Sequence, residues 1–259
     1  MSGRVRVSSV LVPARTSVPA IDEVLAEAVG QGQRRDPVLP RSGGPAGNAR
    51  LTAWAGLVLL VVICAELVTL LDVTGLIRWH VGVGIVLTAL ALLKTASTGW
   101  RIVRYYTGSQ TYVRAGAPPL LLRLLGPLVI LATLSVLGTG FALIAIGQDA
   151  SRRELFGVLG QRVSPLTLHQ AAFIVFAVVA GLHLLARLVP AGLLAGGRAH
   201  VGQPRSVVPG GPARAFAVTA GVLAGAIAVV LVVPSITSWR HDHGHDRGDD
   251  RAGVDHAGY

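Results

Sequence analysis

Five long stretches of this chain carry almost no polar positions, and they are separated by short, arginine-bearing segments. The runs show neither strict alternation nor a narrow apolar stripe. They are apolar on every side, as expected of helices surrounded by lipid or by one another. Each approaches or exceeds the roughly 20 residues needed to cross a hydrocarbon core of about 30 Å. The pattern predicts helices over about Leu51–Leu71, Gly75–Trp100, Leu120–Ile146, Ser164–Leu188, and between Arg214 and Arg240. Ser164-Pro165 has the chemistry of an N-cap followed by a first-turn proline. A short helix is expected around Ile21–Val29. The fold class is therefore all-α: an integral membrane helical bundle with five transmembrane helices.

Composition agrees. Of 259 residues, 52% are hydrophobic and only 14% charged, against about a quarter charged in a soluble domain. Residues 1–50 read as a disordered tail rich in Arg, Pro and Gly, without the apolar core of a cleavable signal peptide. Residues 51–189 hold four spans, 190–212 a loop, 213–239 the fifth span, and 240–259 a His/Asp-rich tail. One cysteine, Cys64, excludes an intrachain disulfide. A net charge of +10 without a nucleic-acid module argues for anionic lipid, not nucleic acid, as the partner. Sixteen Lys and Arg residues fall on the side of the N-terminal tail and seven on the other. The positive-inside rule then places the protein in the cell membrane, with a cytoplasmic N-terminus and an external C-terminus.

Three histidines lie inside the spans: His80, His169 and His183. Ionisable residues there are costly and generally face the protein interior. His80 and His169 each lie about five residues into helices that run in the same direction, so they share a depth near the outer face. Two imidazoles on facing helices suit one metal, including the two axial positions of a haem iron. His169 and His183 are fourteen residues apart, which puts them on one helix face separated by roughly 21 Å. That spacing suits one haem near each surface. Hydrogen-bonded packing histidines are the ordinary alternative. On the second helix the position fourteen after His80 is Lys94, read as a cation snorkelling to the interface.

Residues His80–Ile130 read HVGVGIVLTALALLKTASTGWRIVRYYTGSQTYVRAGAPPLLLRLLGPLVI, and Leu168–Leu188 read LHQAAFIVFAVVAGLHLLARL. These segments resemble the bacterial membrane cytochrome b superfamily, in particular four-helix b-type domains related to ferric-reductase-like transmembrane proteins. The resemblance covers about Leu51 to Leu188. It implies a four-helix cytochrome b-like core plus one further helix, with haem b at His80 and His169, and with His183 holding a second, inner haem, contacting a quinone or simply packing. It departs from a two-haem pattern at Lys94. The implied function is a haem b-binding electron-transfer subunit that works between the quinone pool and a redox partner protein, not a stand-alone enzyme. The alternative is a haem-free assembly, binding or metal-handling protein that keeps the bundle.

Smaller features carry further expectations. Glu66 is an uncommon carboxylate within a span, able to relay a proton, to accept from a histidine N–H or to reach water at the interface. Gly82, Gly84, Gly138 and Gly140 would admit a haem edge or close helix packing. Arg78, Arg152 and Arg153 read as anchors flanking the spans or as partners for haem propionates. His241, His243 and His245, interleaved with Asp242 and Asp246, have donor groups suited to zinc, copper or nickel. No nucleophile triad, phosphate-binding glycine loop or nucleotide motif is present.

Overall fold

The computed structural model describes residues 19–32, 36–158 and 160–234. Among them, seven α-helices run in the order α1 (Pro19–Ala28), α2 (Gly44–Thr69), α3 (Ile77–Tyr106), α4 (Gln110–Ala115), α5 (Leu120–Arg152), α6 (Pro165–Ala195) and α7 (Gly211–Val232). The only strands among the described residues are β1 (Phe156–Val158) and β2 (Gln161–Val163), a small antiparallel hairpin between α5 and α6. Helices α2, α3, α5, α6 and α7 are long and apolar enough to cross a membrane. Leu71, Leu185, Phe216 and Leu231 point outward and are more than 70% exposed. Such a surface is tolerable in lipid and not in water. The molecule is an all-α multi-pass membrane bundle.

Helix ends follow local chemistry. Helix α2 begins seven residues before the first apolar run, with Pro45 in its first turn. A helix need not stop where hydrocarbon stops, and the polar turns Gly44–Arg50 continue it beyond the apolar zone. Gly147 adopts φ 80° and breaks α5, so the straight part of that span ends at Ile146. At α6, the Ser164 Oγ accepts from the Thr167 N–H at 3.3 Å, and the Thr167 Oγ1 accepts from the Ser164 N–H at 2.8 Å. This reciprocal cap satisfies two backbone donors that the helix itself cannot.

Four helices form a ring in the order α3, α2, α6, α5, with α3 and α5 closing it only lightly. Helices α3 and α6 therefore stand on a diagonal. The core gathers around Leu59 of α2 and Leu87, Leu90 and Ala91 of α3, with Leu137 of α5 against them. The fifth span, α7, packs along the outside of α3. Gly225 makes this approach: a Cβ there would lie 2.9 Å from the Val86 Cα, and one at Gly82 would meet Val229 at 3.6 Å. Helix α1 lies across one end of the bundle against α6 and α5.

Gly225→Val is expected to push α7 off α3 and to lower stability by about 1–3 kcal/mol, the usual cost of overpacking. Gly126→Ala, where an added Cβ meets nothing within 4 Å, is expected to cause no loss. Thermal unfolding of both variants in detergent checks the pair.

Candidate functional site

His80 is the fourth residue of α3 and His169 the fifth of α6. Their equal depth follows from where the two helices start. Their meeting follows from the diagonal: each helix presents its imidazole to the bundle axis. The ring centroids are 6.4 Å apart and the planes are inclined by 78°. The end of the bundle that holds them is called the histidine end below, and the opposite one the arginine end.

Each imidazole is held through Nδ1. For His80, Nδ1 lies 2.8 Å from the Glu66 Oε1 and 3.2 Å from the Thr69 Oγ1, both on α2. For His169, Nδ1 lies 3.0 Å from the Thr139 Oγ1 on α5. The side chains of His80 and Glu66 are 21% and 15% exposed, so the bond is largely shielded. Of the roles the sequence leaves open for Glu66, the structure shows the contact with a histidine. The other Glu66 oxygen, Oε2, is buried and has no hydrogen-bond partner among the described residues. A buried carboxylate oxygen without a donor is expensive, and the bond to His80 is what keeps this group in place.

These contacts leave Nε2 of both rings for a ligand. Two metal–nitrogen bonds of about 2 Å, with two ring radii of about 1 Å, would separate the centroids by about 6 Å. The observed separation fits that sum. Gly140 belongs to the same pocket: a Cβ there would lie 3.3 Å from the His169 Cε1. Its missing side chain makes room for the imidazole itself. Gly84 looks toward the Glu66 Oε1 at 3.9 Å, while Gly82 serves the α7 contact. Arg78, Arg152 and Arg153 are exposed. Among the described residues no group of three or more His, Cys, Asp or Glu side chains could hold a metal ion by itself. His241, His243 and His245 lie outside the described residues.

His183 does not join this pair. It lies nearer the arginine end, where Lys94 and Arg187 are its electrostatic neighbours. Lys94 does not snorkel to the interface. Its Nζ sits against Gly56 of α2, where a Cβ would be only 2.7 Å away. Gly56 is five residues, or about 8 Å, inside the apolar run that begins at Leu51.

The arginine end is built by the stretch LLKTASTGWRIVRYYTG. Ser97 bonds Thr52 at 2.7 Å, and its carbonyl accepts from Asn48 at 3.0 Å. Arg101 makes a two-pronged pair with Asp36 at 2.5 and 3.0 Å. Arg104 lies over the Trp100 and Tyr112 rings at 5.5 and 6.0 Å, and Arg123 donates to the Tyr106 hydroxyl at 3.0 Å. Glu27 of α1 pairs with Arg187. The partners Thr69, Thr139 and Asp36 carry no signal in the sequence that separates them from other threonines and aspartates.

Removing one partner of the His80–Glu66 bond should cost more than removing both. His80→Leu leaves a buried carboxylate unpaired, and a loss of about 1–3 kcal/mol is expected. The double variant His80→Leu/Glu66→Leu should recover part of it. A double-mutant cycle on thermal unfolding in detergent measures the coupling; strict additivity would mean that the bond contributes nothing.

Comparison with family models, with curated proteins and with solved structures returned no match.

Proposed function

We propose that the chain is a haem b-binding membrane subunit that passes electrons between the quinone pool and a redox partner protein. One observation carries the reading: two imidazoles from diagonal helices face each other at ligand-sharing distance, and each is fixed through Nδ1. Ligating histidines characteristically donate their second ring N–H to a carboxylate or similar acceptor. Haem, when bound, supplies an iron couple inside the membrane. The chain's own residues do the rest. His80 and His169 would hold the iron, Glu66 and Thr69 orient the first ring, and Thr139 orients the second. The apolar helices keep water from the site. The charge asymmetry supports a cell-membrane topology with the arginine end in the cytoplasm, which would put the haem near the outer surface.

A reduced-minus-oxidised visible spectrum of the purified protein is expected to show a b-type signal, with about one haem per chain by pyridine-haemochrome assay. His80→Ala and His169→Ala should each abolish it. A colourless protein, expressed with haem in supply, would overturn the reading and leave a haem-free bundle.

Glu66→Gln tests the second contact. A carboxylate on Nδ1 stabilises the more positive, oxidised iron, so its neutral replacement should raise the midpoint potential. A rise on the order of 60 mV, tenfold in equilibrium terms for one electron, is expected by spectroscopic titration. An unchanged potential would mean that Glu66 does not act on the ligand.

A further inference from the structure

The arginine end holds a cavity of about 110 Å³, walled by α1, α2, α6 and the segment that leads on to α7. Local chemistry builds it. Helix α6 ends at Ala195, and Gly197 turns the chain at φ 86°. The Ser206 N–H then donates to the Gly197 carbonyl at 2.8 Å, which closes the segment between them into a loop. Two bonds hold that loop in place. The Val201 N–H donates to the Gly30 carbonyl, just after α1, at 3.0 Å. Arg50 of α2 donates to the Ser206 carbonyl at 2.6 Å. Arg198 and His200 lie on the loop, and Arg50 lies against it: a Cβ at Gly197 would be 3.5 Å from the Arg50 Nη2. All three side chains line the cavity.

The charges on the wall are unequally answered. Glu27, Asp36 and Arg187 line the cavity too, but Glu27 pairs with Arg187 and Asp36 with Arg101. Both carboxylates are thus engaged by other arginines. Among the described residues, neither Arg50 nor Arg198 has a carboxylate partner. Arg50 gives one terminal nitrogen to Ser206 and keeps others of the five N–H donors that a guanidinium carries. The His200 Nε2 is buried and has no hydrogen-bond partner among the described residues, a state that calls for one. Two guanidinium cations and an unsatisfied imidazole nitrogen are the donor set of an oxyanion. One water needs about 10–15 Å³ of such space, so a tetrahedral oxyanion fits. Depth narrows the chemistry further. Arg50 immediately precedes the apolar run of α2, and the α6 residues on the wall begin at Arg187, where the run of α6 ends. That is headgroup level, where basic pockets between spans take lipid phosphates.

We propose that Arg50, Arg198 and His200 form a binding site for a phosphate group in this cavity. The phosphate belongs to an anionic lipid headgroup or is a free phosphate ion. The site shares no residue with the His80–His169 pair, and its test does not involve haem.

The full chain is reconstituted in neutral phosphatidylcholine nanodiscs, and its Tm is followed against two probes: inorganic phosphate, and phosphatidylglycerol mixed into the disc. One probe is expected to raise Tm with saturation. A response to inorganic phosphate in the neutral disc assigns a free anion; a response to phosphatidylglycerol alone assigns a lipid headgroup. Arg198 is exposed and makes no side-chain bond among the described residues, so Arg198→Gln should leave the fold intact. In that variant the half-saturation point should rise about tenfold, the equivalent of one charge-assisted bond. His200→Leu should also weaken the response, and it takes the place of Arg198→Gln where that variant does not fold. Arg114→Gln removes an exposed charge from α4 at the same end and should titrate like the wild type. A wild type indifferent to both probes overturns the site. So does a half-saturation point in Arg198→Gln no higher than in Arg114→Gln, which would reduce the effect to overall charge.

Discussion

Hydrocarbon offers no hydrogen bonds, so a polar side chain within a span must be answered by another helix. That demand organises this bundle. Glu66 and Thr69 of α2 answer His80 of α3 at one end, while Asn48 and Thr52 of α2 answer Ser97 of α3 at the other. These contacts fix the rotation of α3 against α2 at both ends of their shared length. Thr139 does the same for α6 against α5. With each helix pair locked in rotation, the two imidazoles have little choice but to meet on the diagonal. The geometry of the candidate site thus follows from bonds made behind the rings, not between them.

The same logic separates what one sequence reveals from what it hides. The five spans were legible because continuous apolar runs of this length have few other physical outcomes. The shared depth of His80 and His169 was legible too, since depth is counted along the chain from a helix start, and Ser164-Pro165 marks one such start. Rotation is different. Whether Lys94 turns toward Gly56 or toward the interface depends on how α3 is set against α2, and counting residues cannot supply that angle. For this reason the snorkelling expectation failed. The choice of Thr139 and Asp36 as partners, from many equivalent residues, was hidden for the same reason. The early start of α2 was missed because hydropathy marks where lipid ends, not where a helix does.

The stretch from Leu92 to Gly108 has a structural explanation beside any functional one. Its residues bond α2 through Ser97, the segment before α2 through Arg101, and α4 through Arg104. It joins three parts of the arginine end to the central helix. Lys94 lies within the same stretch, and its Nζ instead faces Gly56 of α2.

The placement of α7 has a consequence for synthesis. Helix α3 finds α2 as soon as the first hairpin is made, but the face holding Gly82 and Val86 waits for the last helix of the bundle. About 126 residues separate the end of α3 at Tyr106 from the end of α7 at Val232, which at ordinary translation speeds is on the order of 10 s. Throughout that interval the central helix must stay inserted with one side covered only by lipid. Its apolar composition makes the delay harmless. It also means that the four-helix ring, with both histidines, can assemble before its outer buttress leaves the ribosome.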